Sequence, residues 1–252
     1  MNKKMIEQRF GRHLPTYRRY AIVQREMAVK LLALLAERTG RSGFSRILEI
    51  GCGSGLLSEK LEAALAYEKL FLNDLVDDCA DLTLRIDDSE FLSGDVETVD
   101  FPASLDLVVS NAALQWVNDL RGVFVRVQQA LLPGGVFAFS TFSPRNLGEI
   151  RELCGCGLNY REPEALAALG REFFSGVEVL EYKTVLRFDT PLDVLKHLKY
   201  TGVNGVDNGV RWTRGKLEKF CADYERRFSD GSGRVGLTFA PVYFFGRKEI
   251  EK

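Results

Sequence analysis

The turn Glu49-Ile50-Gly51-Cys52-Gly53-Ser54-Gly55 sets three glycines at alternate positions directly after the short apolar run Arg46-Ile47-Leu48-Glu49-Ile50. Glycine reaches positive φ without strain and carries no Cβ, so such a turn lets a ligand come close to the backbone. It also opens a helix-like stretch, whose free N–H groups and dipole favour a carboxylate or a phosphate. Asp74 ends the next apolar run about twenty residues beyond Gly55, where an acid can accept both hydroxyls of a ribose. Gly94-Asp95-Val96 follows a third run, and an acid there can receive an adenine amino group. Dinucleotide-binding oxidoreductases share the turn and the first acid but not regularly the second. Taken alone, Asp95 also reads as a turn former beside Gly94. The three features at successive strand ends argue for a nucleoside ligand much more strongly than any one of them.

The elements that must position these residues follow from periodicity. Ile22, Met27, Leu31, Leu34 and Leu35 recur at near-helical spacing and predict a helix from about 14 to 37, with Gly40 as its stop. Strands are predicted at 46–50, at 69–73, just before Gly94, at 105–110 and at 136–141, with helices at 56–66, 76–86 and 120–132 between them. Strands alternating with helices give an α/β, doubly wound, mostly parallel sheet. Later segments predict helices at 147–154, 163–169, 191–200 and 214–227, and strands at 177–188 and 236–245. Two late strands with helices between them suit an antiparallel end to the sheet, unlike a dinucleotide-binding sheet. With no repeat, linker or low-complexity tract, residues 1–252 are expected to form one domain, with a helical cap (1–40), a ligand-binding core (44–141) and a helical insertion on the substrate side (190–228).

The bulk composition restricts the function classes. The 252 residues include 34 Lys and Arg against 35 Asp and Glu, a net charge of −1, so no global charge points to nucleic acid or a membrane surface. No apolar run reaches membrane-spanning length, and the charged N-terminus does not read as a signal peptide. Five cysteines, an odd number, read as reduced thiols in a cytoplasmic protein. Cys154-Gly-Cys156 has no second pair and no nearby histidine, so no metal is expected.

The glycine turn, Asp74 and Asp95 together resemble the class I S-adenosylmethionine (SAM)-dependent methyltransferases, whose first motif reads E-x-G-x-G-x-G. The resemblance covers about residues 44 to 141. It implies a Rossmann-like methyltransferase sheet with SAM as cofactor, bound by Glu49, Gly51, Cys52, Gly53, Gly55, Asp74, Leu75, Asp95, Val96 and Asn111. Ser110-Asn111-Ala112-Ala113-Leu114-Gln115-Trp116 is similar to the family's fourth-strand exit, which lines the methyl-transfer site. The Asn-Pro-Pro-Tyr signature of many amine and nucleobase methyltransferases is absent there, which argues against nucleic-acid substrates.

Further segments resemble the malonyl-[acyl-carrier protein] O-methyltransferases of biotin synthesis. These are Phe10-Gly11-Arg12 with Tyr17-Arg18-Arg19-Tyr20-Ala21 and Gln24-Arg25, then Leu114-Gln115-Trp116-Val117, then Ser140-Thr141-Phe142 with Glu149-Ile150-Arg151. The most specific runs from Thr190-Pro191-Leu192-Asp193 through Lys196-His197-Leu198-Lys199 to Thr201-Gly202-Val203-Asn204. Leu14-Pro15, Ser143-Pro144-Arg145 and Lys196 depart from the family's usual residues. The resemblance implies methyl transfer to the free carboxylate of a malonyl thioester, on acyl-carrier protein or coenzyme A. Tyr17, Gln115 and Trp116 are then expected at the transfer site, and Arg151, Lys196, His197 and Lys199 on the substrate. Each has a plainer reading: Tyr17 as an amphipathic-helix residue, Gln115 and Trp116 as core, Lys196 and Lys199 as a solvated helix face, His197 as a structural residue rather than a base. Lys196, Lys199, Arg211, Arg214, Lys216 and Lys219 could form a basic surface for the acidic carrier protein. Other readings of the chain are a methyltransferase for a small carboxylate or quinone precursor, a SAM-binding regulator without turnover, and a nicotinamide-dependent oxidoreductase.

Overall fold

A computed structural model describes residues 3–201 and 212–250. Gly202, Val203, Asn204 and Arg211, singled out above, lie outside the described residues.

The chain begins with two helices, α1 (Lys3–Tyr20) and α2 (Ile22–Thr39). The single helix expected from about 14 to 37 is instead parts of two helices. At Ala21 the backbone turns to φ −78° and ψ 55°, outside the helical region. The apolar stripe of α2, including Met27, Leu31 and Leu35, is buried in the core, whereas α1 crosses toward the ends of the strands; one straight helix could not do both. Gly40 closes α2 as predicted, left-handed at φ 64° and donating to the carbonyl of Ala36.

Next come β1 (Arg46–Ile50), α3 (Ser58–Ala64), β2 (Lys69–Asp74), a 3₁₀ run (77–84), β3 (Ser89–Ser93), β4 (Leu105–Asn111), α4 (Leu120–Ala130) and β5 (Leu131–Phe142). The helix expected at 76–86 is this 3₁₀ run, in which Asp77, Asp78, Cys79, Asp81 and Thr83 are all weak α-helix formers. α5 (Gly148–Cys154), α6 (Pro163–Arg171), β6 (Ser175–Glu181), β7 (Thr184–Phe188), α7 (Pro191–Tyr200), α8 (Arg214–Phe228), β8 (Val235–Phe239) and β9 (Pro241–Arg247) follow. Pro163 and Pro191 sit in the first helical turn, where a missing N–H does no harm. Thr190 caps α7 by accepting the Asp193 amide at 3.2 Å.

Seven strands form one sheet in the order β3-β2-β1-β4-β5-β9-β6. β1 to β5 run parallel, and β9 is antiparallel to both neighbours. β7 and β8 pair separately as an antiparallel ribbon. The late strands expected at 177–188 and 236–245 therefore each divide, at Tyr182-Lys183 and at Ala240. Each half has a different partner, which continuous apolar runs do not reveal. Both faces of the main sheet are covered: Ile47, Leu107 and Val109 face one apolar layer, Leu48, Ile50 and Val108 the other. Parallel strands buried on both faces read as unbroken apolar runs, which is why their positions are plain in the sequence.

The five parallel strands end on one edge of the sheet. The order reverses between β1 and β4, and the crevice at such a reversal is where open α/β sheets take their ligands. Gly51, Asp74, Asp95 and Asn111 lie at or just beyond four of these strand ends.

Candidate active site

The turn after β1 is held from both sides. The amides of Gly51 and Cys52 donate to the carbonyl of Asn73 at 2.8 and 3.0 Å. Asp74 accepts the Gly53 amide through Oδ2 at 2.8 Å and the Val76 amide through Oδ1 at 2.9 Å. Gly51 has φ +73°, and a Cβ on it would stand 2.3 Å from the Cβ of Ala113. This glycine is therefore required twice over, by its conformation and by the approach of the β4 exit. α3 begins only at Ser58 and is short, so the polar groups facing the turn come from its own backbone and the neighbouring strand ends more than from a helix dipole.

A cavity lies over this turn. Its walls include Tyr17, Glu49, Gly51, Cys52, Gly53, Asp74, Leu75, Asp95, Val96, Asn111 and Trp116. The structure thus brings these expected residues into one place; Gly55 packs just behind, where an added Cβ would stand 2.6 Å from Leu82. Glu49 is 1% exposed, and its Oε2 has no hydrogen-bond partner. Burial raises its carboxyl to about 8, so it is mostly protonated at neutral pH. The Ser54 hydroxyl also lines the cavity, buried and unpartnered. Buried polar groups are nearly always satisfied in native proteins; these two orphans, with the Cβ-free wall at Gly51, fit a ligand that has both a cationic amine and hydrogen-bonding groups. Burial also raises the Asp74 carboxyl.

α1 roofs the cavity. Lys3, Phe10 and Tyr17 recur every seven residues on one face of it, and all three line the cavity. Lys3 donates to Asp95 Oδ1 at 3.1 Å and also pairs with Glu97. At the other end, Arg18 binds Glu59 through two nitrogens at 2.5 Å and the Ser54 carbonyl at 3.1 Å. The Phe10 and Tyr17 rings meet at 5.1 Å. Burial, then the charge of Asp74, pushes the Tyr17 phenol well above its ordinary value, so it remains protonated. Ser54 and Ala113 lie inside the motifs read from the sequence without being named as site residues, whereas Lys3 lies outside them; the seven-residue recurrence of Lys3, Phe10 and Tyr17 is the signal for the roof.

The β4 exit forms the opposite wall. Asn111 donates to the Gln24 carbonyl at 3.0 Å and accepts the Ser140 hydroxyl at 2.6 Å, tying α2 and β5 to the cavity. Ala112 takes φ +52°, an uncommon backbone for a residue with a Cβ, and strain of this kind clusters at functional sites. Gln115 donates to the Ala112 carbonyl at 2.6 Å and accepts Thr141 Oγ1 at 3.3 Å.

Four expected substrate residues lie elsewhere. Arg151 spends its guanidinium on two backbone carbonyls, Pro144 at 2.8 Å and Leu158 at 3.2 Å. Lys196 pairs with Asp193 at 3.3 Å on the open face of α7. Lys199 is exposed on the same helix. His197 is buried, its ring 5.2 Å from that of Phe188 and 6.0 Å from that of Phe239; burial lowers its value to about 4, so it is a neutral packing residue at physiological pH. Cys52, Asp74 and Cys79 bring their potential ligand atoms within 4.8 Å of one another, a grouping that cysteine spacing along the chain does not show. The Cys52 thiol is pushed up by its contact with Cys79 and by burial.

Residues 48–139 match a family model described as a methyltransferase domain. Over 96% of its length the chain is 41% identical to a malonyl-[acyl-carrier protein] O-methyltransferase of Chlorobium phaeovibrioides, of which it covers 95%. It is 40% identical to that of Prosthecochloris aestuarii, with 98% and 94% of the two chains covered, and 36% identical to that of Haemophilus influenzae, with 98% and 95% covered. Solved structures share the fold at low identity. The YcgJ protein of Bacillus superposes with a TM-score of 0.64 at 12% identity, over 88% of this chain and 99% of that one. The N-methyltransferase NodS of Bradyrhizobium japonicum, solved with S-adenosylhomocysteine, superposes at 0.54 and 16% identity, over 96% and 98%. With relatives this similar over nearly their whole length, and the strand order and cavity already described, the chain belongs to the malonyl-[acyl-carrier protein] O-methyltransferases, a family of SAM-dependent enzymes.

Proposed function

We propose that the protein transfers a methyl group from SAM to the free carboxylate of a malonyl thioester carried on acyl-carrier protein, giving the methyl ester that primes pimeloyl synthesis for biotin. The observation that carries this reading is the make-up of the cavity. Among the described residues no histidine lines it, Tyr17 holds its proton, and burial leaves Glu49 mostly protonated at neutral pH. Such a site suits a nucleophile that arrives already ionised. A malonyl carboxylate does, with an ordinary value near 4.

When bound, SAM supplies an electrophilic methyl on a sulfonium. A carboxylate oxygen would take that methyl with the sulfonium sulfur as leaving group, the C–S electron pair remaining on sulfur, and no proton would need to move. The protein's contribution is alignment and exclusion of water from the carboxylate. Glu49 and the turn from Gly51 to Gly55, with Cys52, hold the amino-acid end of the cofactor. Asp74 and Leu75 hold the ribose, Asp95 and Val96 the adenine, and Asn111 the β4 side. Tyr17, Gln115 and Trp116 surround the transfer position, with α1 and α2 as the cap and α7 and α8 on the substrate side. Lys196, Lys199, Arg214, Lys216 and Lys219 on α7 and α8 offer positive charge for the acidic carrier protein. No described helix is long and apolar enough to cross a membrane, in keeping with a cytoplasmic reaction on a soluble carrier.

The test is a comparison of acceptors. Malonyl-carrier protein should be methylated, with trans-aconitate and a quinone precursor inert or far slower. Preference for either of the latter would overturn the assignment.

A further inference from the structure

We infer that a second cavity, beside the cofactor cavity, is the malonyl site, and that Arg161 anchors the carboxylate there. The inference rests on the proposed reaction. The cavity, of about 200 Å³, shares Leu114 and Val117 with the cofactor cavity and is also walled by Gln115, Thr141, Tyr160 and Arg161. It therefore lies across the β4 exit from the cofactor, at the end of β5, where an acceptor must stand to meet a methyl group.

Among the described residues the cavity wall carries one cation, Arg161, and several hydrogen-bonding groups. Arg161 is exposed and has no ion pair or hydrogen bond among the described residues, although Glu162 and Glu164 are close in sequence. Gln115 and Thr141 are held to each other at 3.3 Å, which fixes the amide while leaving it an N–H to donate. A planar guanidinium can grip a carboxylate through two parallel hydrogen bonds and so set which oxygen faces the methyl.

The segment bearing Arg161 is anchored from three sides. Arg151 donates to the Leu158 carbonyl at 3.2 Å. The Tyr160 hydroxyl accepts Asn146 Nδ2 at 3.1 Å, and the Tyr160 ring stands edge-on to Phe142 at 5.9 Å. Pro163 then starts α6. Arg151 is thus a positioning residue for the segment that carries Arg161, not itself a ligand of the substrate. Lys196, on the open face of α7 and paired with Asp193, has no such place.

The test uses malonyl-pantetheine and acetyl-pantetheine, which differ by the carboxylate, with wild type, Arg161→Gln and Arg161→Lys. Equilibrium binding to enzyme loaded with S-adenosylhomocysteine reads the site whether or not turnover occurs, so failure of the site and failure of the reaction are told apart. Wild type should prefer the malonyl thioester, and Arg161→Gln should weaken malonyl binding by about 10–100-fold, the usual worth of a charge-assisted hydrogen-bonded contact. Acetyl binding and SAM affinity should not change, and Arg161→Lys should restore part of the loss. In turnover the loss should appear mainly in KM. Unchanged malonyl preference in Arg161→Gln, or equal loss of malonyl and acetyl binding, would overturn the proposal.

Discussion

The carboxylate of Asp74 accepts the backbone amide of Gly53 at 2.8 Å, so the acid that ends the second strand is tied directly to the glycine turn that follows the first. Its other oxygen takes the Val76 amide at 2.9 Å. One side chain therefore holds the turn in shape and also faces the cavity where a ribose is expected. Loss of its charge and loss of the turn are coupled.

Asp74→Asn tests that coupling. An amide presents one oxygen and one NH2 where two backbone N–H groups need acceptors, leaving one buried donor unpaired at a cost of about 1–3 kcal/mol. Thermal or denaturant unfolding of the ligand-free variant should show a loss of that order, together with weakened SAM binding by calorimetry. A variant as stable as wild type would show that the two hydrogen bonds do not hold the turn.

Two glycines of the turn should behave differently. Gly51→Ala places a Cβ 2.3 Å from Ala113 on a backbone at φ +73°, whereas Gly53→Ala meets nothing nearer than Phe10 at 3.7 Å and bears chiefly the strain of φ +52°. That strain is about 1–2 kcal/mol. Gly51→Ala should therefore lose SAM binding and substantial stability, with Gly53→Ala milder on both counts. Equal effects would contradict the close approach of the β4 exit.

Glu49 makes the cofactor step sensitive to pH. Burial raises its carboxyl from 4.5 to about 8, and a bound ammonium would lower it again, so SAM binding at pH 7 should release a proton. Calorimetry in buffers of different ionisation enthalpy should detect that release, fading above about pH 8.5 as the free-state carboxyl ionises. The same shift affects stability. A folded value above the unfolded one gives a contribution that is whole below 4.5 and is lost as pH rises through about 8. Glu49→Gln should flatten that part of the ligand-free stability profile and abolish the proton release. Buffer-independent heats in wild type would sink this account of Glu49.

The roof should govern how long the cofactor stays. Arg18→Ala removes the contacts to Glu59 and the Ser54 carbonyl. Both ionic side chains are partly exposed, 41% and 36%, so screening limits the pair to about 1 kcal/mol or less. Stopped-flow measurement should show SAM leaving a few-fold faster with little change in global stability. An unchanged off-rate would mean that α1 is held by its apolar face alone.

Much of this architecture is visible in the sequence because parallel strands buried on both faces leave apolar runs such as Leu107-Val108-Val109 and Val136-Phe137-Ala138-Phe139, and because only glycine suits position 51. Asp74 and Asp95 stand at fixed places after such runs. The break at Ala21 is hidden, since alanine disrupts neither helical periodicity nor propensity. The divisions at Tyr182-Lys183 and Ala240 are hidden too, because a change of strand partner leaves the apolar pattern intact. Arg151 and Arg161 show the same limit for the site. Which arginine is already occupied by backbone carbonyls and which is free is decided by the loop 155–160 folding onto α5, and no local pattern states it.

The central claim, esterification of a malonyl carboxylate, is tested most directly by intact-protein mass spectrometry of malonyl-carrier protein incubated with enzyme and SAM. The account predicts a gain of one methyl group that disappears on mild ester hydrolysis and does not form on acetyl-carrier protein. A malonyl-carrier protein left unchanged while the enzyme binds SAM, or a methyl group that survives ester hydrolysis, would contradict it.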